Sequence, residues 1–534
     1  MSCSWVFAVS LTFCVFFFSL SGFDEGNVSG MINSVRFRQQ YGLSDKSKSA
    51  AQVAALEGNI SSMVQIASVG GALIAFLLTD RIGRVWALRQ MCLVWILGVA
   101  LQITSNGNLG QLYAGRFVAG LGIGQSTVIG PTYLVEIAPR SIRGLCTCIF
   151  AGNVYLGIVL SYFANWGASM HISNLSNRQW IVPITLQIIF GGLTLVMSFL
   201  ALESPRWLLV QGRHDEAKNN MVKLRGLPAT HPYVMTELQD IRDSIDRERE
   251  SSMGTSFLAP LRELFFIGSN LYRLILGLMV QFLGQWSGAN SITIYAPQYF
   301  ALLGVKGQNE KLYATCILGV VKLVSSLSCA FFIVDRFGRK RSLYTGLILQ
   351  FLSILYIAVF LAVDGGSTTS GHQTAGQKRA STAGIAAIYV NGLAWALGWN
   401  TVQYLVNSEM FPLRTRALAT SIIMCFHFAN QYGNSKAVPT MLLPVSQGGM
   451  TSSGTMFFFA AVLVIGLVYV WFFLPETAGR SLESMDALFN LPWYQIGRKG
   501  KMMRSETTAD LLDAKRDIEL IETVDVEKVE HGRS

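Results

Sequence analysis

The chain has 534 residues, of which 51% are hydrophobic and only 14% are charged. Soluble domains carry about 25% charged residues, so this composition excludes an ordinary soluble protein and indicates a membrane protein with many spans. The formal net charge of +10 comes from basic residues in short loops between apolar runs, where such residues set membrane topology. We therefore expect no nucleic-acid partner.

Apolar runs of about 20 residues, the length that crosses a bilayer, recur along the whole chain. We expect the first run to be a span and not a signal peptide, because no basic segment precedes it and no clear small-residue cleavage site follows. The sequence thus predicts an all-α membrane protein with twelve transmembrane helices in two six-helix halves. The predicted spans lie near residues 5–32, 57–79, 87–105, 111–137, 145–165, 180–201, 272–303, 312–334, 342–363, 382–407, 417–443 and 455–474.

Composition divides the chain into four parts. Residues 1–203 are expected to form the N-terminal half and residues 271–484 the C-terminal half. Between them, residues 204–270 are polar, with charges at helical spacing that predict a cytoplasmic linker of short amphipathic helices. Residues 485–534 are charged and are expected to form a disordered cytoplasmic tail.

Lysine and arginine residues set the predicted orientation. They crowd the linker and the connections after spans two, four, eight and ten, and such basic loops stay in the cytoplasm. We therefore expect a multi-pass protein of the plasma membrane with both termini in the cytoplasm. The sequon at Asn174 would then face outside as a candidate glycosylation site, and the sequon at Asn59 is a weaker candidate.

Short charged motifs occur once in each half and in the same order. The motif DRIGR of the first half matches DRFGRK of the second, and EIAPRSIRG matches EMFPLRTRA. The glutamates of ESPRW and PETAGR, which are Glu203 and Glu476, form a third match. A duplicated six-helix unit is typical of transporters whose halves rock about a central site.

These motifs, with GRFVAGLGIGQSTVIGPTYLVEIAPRSIRG and GQWSGAN, resemble the sugar porter family of the major facilitator superfamily, in its fungal style. The resemblance covers about residues 20–485. It implies alternating-access transport of a small-molecule sugar or sugar acid by a monomer in the lipid bilayer, without a cofactor. The sequence contains no phosphate-binding loop, no metal-ligand spacing and no nucleophile with a matched base. We expect neither a metal site nor an enzyme.

The repeated motifs place carboxylates among arginines at the inner ends of spans. Such pairs can close when the inner gate is shut and separate when it opens. Each exposed pair contributes only about 0–1 kcal/mol, but a network can bias an equilibrium between two states. The predicted gate residues are Asp80, Arg84, Glu136, Arg143, Glu203, Arg206, Asp335, Arg339, Glu409, Arg416 and Glu476.

One acid and one arginine lie in the outer halves of predicted spans. Asp24 is in span one and Arg116 is in span four, and together they can neutralise one another in the membrane. The resemblance implies that Asp24 carries the coupling proton and that Arg116 modulates it, since facilitative relatives tend to have asparagine at the first position. The alternative is a static structural pair.

Hydrogen-bonding side chains recur near the middle of spans in the second half, as a polyhydroxylated ligand requires. His427 and Gln431, for example, are four residues apart and therefore share one face of span eleven. The predicted substrate-binding residues are Gln281, Gln285, Asn290, Lys322, Asn400, His427 and Gln431.

Departures from the family pattern gather in this region. Gly284 replaces the first of two paired glutamines in span seven, and Gln281 one turn earlier is a possible substitute. Ala151 replaces a glutamine of span five, His427 an asparagine of span eleven, and Lys322 a common asparagine of span eight. These changes argue against an ordinary hexose as the substrate.

Lys322 is the most informative of these residues. Asp335, at the inner end of the same span, is about 20 Å of helix away, which is beyond the reach of a lysine side chain to water. The spans of the second half contain no acid at the depth of Lys322. We expect Lys322 to bind a substrate carboxylate; the alternative is a pair with Asp24 or with backbone carbonyls in one transport state.

The favoured function is therefore proton-coupled import of a monosaccharide or sugar acid, with a hexuronate such as galacturonate, or a quinate-like acid, as the preferred substrate. A carrier of neutral hexose or pentose, with or without proton coupling, is the alternative within transport. A sugar-sensing membrane receptor that signals through its tail is the alternative from another class.

Overall fold

The computed structural model describes residues 5–139, 143–250, 259–329, 331, 338–363, 374–400, 410–411, 413–476, 488–489, 491–492 and 495–497. The first half consists of long helices with one short helix after the first of them. These are α1 (Trp5–Asn33), α2 (Val35–Gln40), α3 (Ala50–Ile82), α4 (Arg84–Ile103), α5 (Leu109–Ile137), α6 (Arg143–His171) and α7 (Arg178–Met197).

Short helices follow in the polar segment. They are α8 (Pro205–Val210), α9 (His214–Arg225), α10 (Pro232–Glu250) and α11 (Ala259–Phe266). Their apolar side chains form a small core of their own, which includes Trp207, Met221 and Leu238. A buried ion pair reinforces it, because Arg225 contacts Glu237 at 2.8 Å and also donates to the Ile137 carbonyl at the end of α5.

The second half repeats the long helices, with two interruptions. Its helices are α12 (Gly268–Gln285), α13 (Ala289–Ile294), α14 (Ala296–Leu302), α15 (Gln308–Ser328), α16 (Arg339–Val363), α17 (Ala375–Trp395), which continues as a π-helical turn (Ala396–Asn400), α18 (Leu413–Met441) and α19 (Ser452–Phe472). The segment α12–α14 is the predicted span seven, which is broken into three helices.

Seven of the described helices are each long and apolar enough to cross a membrane. The remaining spans of the predicted twelve are α1, α5, α6, the broken segment α12–α14, and α18, which all pack among the seven. The α18 helix carries several amides and a histidine in its middle, so its hydropathy is low even though its position is central.

Span two is longer than its apolar run predicts. It begins at Ala50, because Ser49 accepts from the Gln52 backbone while the Gln52 side chain accepts from the Ser49 backbone. This capping box satisfies two otherwise unpaired N–H groups and extends the helix beyond the predicted start at residue 57.

Small residues allow the helices of the first half to approach closely. A Cβ atom at Gly22 would lie 1.8 Å from the Val154 carbonyl oxygen, and one at Gly26 would lie 2.0 Å from the Ser161 hydroxyl. Close contact through glycines is common between membrane helices. Here it presses α1 against α6, and Glu25 of α1 interacts electrostatically with Tyr162 of α6.

The two halves are joined at the end of the bundle that carries Glu57. We call this the Glu57 end; the charge distribution predicts that it is extracellular. The opposite end of the bundle, which carries Glu203, is called the Glu203 end. The Tyr295 hydroxyl donates to the Ser435 carbonyl at 2.6 Å and lies 2.5 Å from the Ser61 hydroxyl. Gln298 donates to Glu57 at 3.1 Å. These contacts connect α3 of the first half to the second half and close the Glu57 end.

Candidate transport site

The break in span seven positions the first group of polar side chains. Gly288, between α12 and α13, has a φ of +88°, and a Cβ atom there would lie 2.8 Å from the Phe459 ring. Glycine is therefore required by both conformation and space. Broken membrane helices commonly line the substrate sites of secondary transporters, and this one presents Gln285 on one side of the break and Asn290 on the other.

An imidazole and four amides form what we call the amide–histidine cluster. Its members are Gln281, Gln285, Asn290, His427 and Gln431, and all are buried. The Gln281 side-chain oxygen lies 2.8 Å from His427 Nδ1, and Gln285 Nε2 lies 3.4 Å from His427 Nε2. The network assigns the proton to Nδ1, which donates to Gln281. Gln431 donates to Asn290 at 3.5 Å.

Several polar atoms of this cluster make no hydrogen bond to the described residues. They are Gln281 Nε2, Gln285 Oε1 and Asn290 Nδ2, and thus include two donors and one acceptor. A buried polar group without a partner costs about 1–3 kcal/mol. The hydroxyl groups of a ligand can both accept and donate, so they match this set.

Lys322 lies beside the cluster and is 2% exposed. Its ammonium donates to the Thr293 hydroxyl, which is one helical turn beyond Asn290 on α13. The same nitrogen lies 5.9 Å from the centroid of the Tyr155 ring, within the range of a cation–π contact. Its acidic electrostatic partner is Glu25 of α1, so the acid near Lys322 is the neighbour of Asp24.

Asn400 belongs to a second group of polar side chains, which lies between Lys322 and the Glu203 end. It donates to the Ser326 hydroxyl at 3.0 Å and accepts from the Tyr155 hydroxyl at 3.3 Å. Tyr155 therefore links Asn400 to Lys322. Tyr155, Thr293 and Glu25 were not predicted from the sequence. Only Glu25 carried a visible signal, because it is a second charge next to Asp24 in an apolar span.

Asp24 and Arg116 form a buried ion pair in the first half. Arg116 Nη2 lies 3.9 Å from Asp24 Oδ2, and the two residues are 1% and 2% exposed, respectively. The Gln187 amide lies beside the Asp24 carboxylate. The contact is longer than a direct hydrogen bond. The two buried charges therefore balance one another without a short hydrogen bond between these two atoms.

Gate residues of the first half contact one another around Arg84. Arg84 makes two 2.9 Å contacts with Glu136 and lies 3.1 Å from Asp80. Glu203 accepts from the backbone N–H groups of Arg84 and Val85 at the start of α4. Burial raises the pKa of the Glu203 carboxyl, although these N–H groups and Arg84 oppose the shift.

The second half repeats the arrangement around Glu203. Glu476 accepts from the backbone N–H groups of Arg339 and Lys340 at the start of α16, where the partial positive charge of the helix N-terminus favours an anion. Arg416 donates to the Phe411 carbonyl at 3.0 Å. Arg206 occupies the second position of α8. Asp335, Glu409 and the side chain of Arg143 lie outside the described residues, so a contact between the halves through them stays a prediction.

The two sequons differ in their surroundings. Asn174 is exposed in the connection between α6 and α7, where its side chain accepts from Gln179 at 2.6 Å. Asn59 lies within α3 and interacts with Tyr113. An acceptor asparagine must lie in an accessible loop, so of the two only Asn174 has a suitable setting.

Comparison with known proteins identifies the family. Residues 9–489 match the model of the family "Sugar (and other) transporter". A probable quinate permease of Neosartorya fischeri is 33% identical over 477 residues, which cover 88% of this chain and 84% of the relative. The quinate permease of Emericella nidulans is 32% identical over 441 residues, which cover 82% of this chain and 80% of the relative.

Solved structures agree on the fold. The proton:xylose symporter XylE bound to 6-bromo-6-deoxy-D-glucose superposes with a TM-score of 0.73 at 21% identity, covering 91% of this chain and 99% of that chain. The inward open conformation of XylE from E. coli gives a TM-score of 0.71 at 20% identity, covering 90% of this chain and 99% of the neighbour. The predicted all-α fold and the predicted family are therefore confirmed: this chain belongs to the sugar transporter family and shares the fold of XylE.

Proposed function

We propose that the protein imports a polyhydroxylated monocarboxylate together with a proton, by alternating access. A hexuronate such as galacturonate is the preferred substrate, and a quinate-type acid is the second substrate of the same class. The observation that carries the proposal is Lys322, a buried cation that donates to Thr293 of α13, the helix that also carries Asn290 of the buried amide–histidine cluster.

The charge of Lys322 needs a counter-charge at this depth. A lysine at the centre of a membrane helix costs about 2.5–3.5 kcal/mol in insertion measurements. Its direct contacts with Thr293 and Tyr155 are to neutral groups, while the Glu25 carboxylate of α1 acts on it only electrostatically. A substrate carboxylate would give Lys322 a direct counter-charge, which a neutral sugar would not.

The remaining polar atoms suit the hydroxyl groups of the same ligand. The unpaired amide atoms of Gln281, Gln285 and Asn290 lie on α12 and α13, and Thr293 of α13 accepts from Lys322. One end of the ligand would be held by charge and the other by neutral hydrogen bonds. Two relatives that carry the name quinate permease support this class, because quinate combines one carboxylate with ring hydroxyls.

The Asp24–Arg116 pair supports proton coupling. A buried carboxylate that lies 3.9 Å from its arginine can be protonated without breaking a short hydrogen bond. Protonation would leave Arg116 with an unbalanced charge, so the helices α1 and α5 would rearrange. This rearrangement would connect proton uptake to the motion of the first half.

The substrate class is tested by uptake of labelled galacturonate and labelled quinate into cells that lack endogenous carriers for both. We expect saturable uptake of at least one acid, inhibition by the other, and loss of accumulation when a protonophore is added. The uncharged amide–histidine cluster alone would favour a carrier of neutral hexose or pentose. Such a carrier would take up neutral sugar and neither acid. Uptake of glucose or xylose without competition by either acid would contradict the proposal.

A further inference from the structure

Glu25 is a second carboxylate in α1, next to the predicted proton carrier Asp24. It is half-buried and interacts electrostatically with Tyr162 of α6. The described groups around it are Asp24 on its own helix, Lys322 on α15, and Tyr162 on α6. Asp24 already has Arg116 as its cation. Lys322 is therefore the cation that remains for Glu25.

Tyr162 contacts the helices that carry Lys322 and Thr293. Its hydroxyl donates to the Thr293 carbonyl at 2.7 Å, and Thr293 is the residue whose hydroxyl accepts from Lys322. Its ring lies against Gly319, one turn before Lys322, where a Cβ atom would be only 2.9 Å away. Tyr162 therefore contacts the helices of Lys322 and Thr293 while it faces Glu25 of α1.

Glu25 and Lys322 belong to different halves of the bundle. The two charges interact electrostatically, with no direct ion pair between them in the part of the chain that the structure describes. The ammonium is instead bonded to Thr293. A ligand carboxylate that approaches Lys322 would meet Glu25 as a competing anion.

We propose that Glu25 is the resting counter-charge of Lys322 and a second proton acceptor, which releases Lys322 to the substrate by taking up a proton. The inference rests on the proposed function. A carboxylate substrate takes over Lys322, and the Glu25 carboxylate gains one proton from the water on the side from which the substrate enters. The charge of the site is conserved, since one anion and one proton arrive together. On release of the substrate, Glu25 returns its proton to the other side.

Proton uptake by Glu25 defines the net charge that crosses the membrane in each transport cycle. Asp24 and Glu25 each carry one proton with one substrate anion, so one net positive charge crosses the membrane. Without the carboxylate of Glu25, one proton would accompany one anion and the cycle would be electroneutral. Glu25→Asp keeps the carboxylate and serves as the matched conservative variant.

The test measures labelled acid and charge movement together in proteoliposomes that contain the purified full-length protein. We expect one charge per galacturonate or quinate for the wild type and for Glu25→Asp, and none for Glu25→Gln. Uptake by Glu25→Gln should also lose its dependence on an inside-negative membrane potential. An unchanged charge ratio in Glu25→Gln would overturn the inference.

The wild type alone provides a second test if Glu25→Gln fails to fold. A wild-type ratio of zero would overturn the inference, and a ratio of one would support it. Equilibrium binding of labelled acid to the purified protein adds a further readout, because Glu25→Gln removes the competing anion and should bind the acid several-fold more tightly. Failure of the proposed function is distinguishable, since the wild type would then take up neither acid.

Discussion

The Lys322 ammonium nitrogen lies 5.9 Å from the centroid of the Tyr155 ring, and the two side chains come from opposite halves of the bundle. Tyr155 also donates to Asn400 at 3.3 Å, while Lys322 donates to Thr293. The surroundings of the buried cation are thus assembled from both halves. Any movement of one half against the other would therefore change the contacts of Lys322.

Thr293→Val should destabilise the substrate-free protein. The substitution removes the hydroxyl that accepts from Lys322 and leaves a buried charge with fewer partners, at a cost of about 1–3 kcal/mol. Thr315→Val is the matched control, because Thr315 only donates to the Lys311 carbonyl of its own helix. The measurement is the thermal unfolding temperature of the purified protein. Equal temperatures for both variants would contradict the assigned contact.

Asp24→Asn should reduce accumulation but retain exchange. The amide cannot carry a proton, so only the proton of Glu25 would remain to drive uphill uptake, while exchange of internal for external substrate continues. Asp45→Asn is the control, because Asp45 lies in the exposed connection between α2 and α3. Uptake of labelled acid across an imposed pH gradient measures the effect. Full accumulation by Asp24→Asn would exclude Asp24 as a proton carrier.

The buried ion pair of the linker should contribute to stability, whereas the exposed one should not. Arg225 and Glu237 are 4% and 6% exposed, and loss of one partner from a buried pair costs about 3–5 kcal/mol. Arg213 and Glu216 are 49% and 55% exposed, where a pair contributes about 0–1 kcal/mol. Glu237→Gln should therefore lower the unfolding temperature and Glu216→Gln should leave it unchanged. Equal effects of the two variants would show that burial does not decide the contribution.

The gate prediction concerns Arg143 and its repeated partners. If these charges hold the outward-facing state, Arg143→Ala should favour inward-facing forms and reduce transport far more than equilibrium binding from the Glu203 end. Arg213→Ala removes a charge that pairs with Glu216 on the exposed linker and serves as the control. Equal loss of transport and binding in Arg143→Ala, or normal transport at normal expression, would count against the gate.

The fold could be predicted from the sequence because two signals agree along the chain. Apolar runs have the length of a bilayer, and charged motifs repeat in each half, as Glu203 and Glu476 do at the starts of α4 and α16. The ends of the spans were harder to predict from the sequence. The extension of α3 to Ala50 depends on a capping box, which hydropathy does not register.

The candidate site could be predicted only where polarity is unusual for a span. Lys322 and the amides stand out for this reason, and the structure brings Gln281, Gln285 and His427 into contact. Thr293 and Tyr155 are ordinary residues in membrane helices, so only their contacts with Lys322 distinguish them. No acid was expected at the depth of Lys322 in the second half, and Asp24 of α1 was the alternative partner; packing between the halves brings its neighbour Glu25 into electrostatic interaction with Lys322 instead.

The most direct test of the account is uptake of labelled galacturonate and quinate by Lys322→Asn, beside Lys436→Asn as the control. Lys436 is an exposed lysine of α18 that donates to Tyr432, so its loss changes the charge of the same half without touching the site. The account predicts that Lys322→Asn loses acid uptake at least tenfold at normal expression, that it admits neutral sugar, and that Lys436→Asn resembles the wild type. Acid uptake by Lys322→Asn at the wild-type rate, or neutral sugar uptake by the wild type that neither acid inhibits, would contradict the central claim that Lys322 binds a substrate carboxylate.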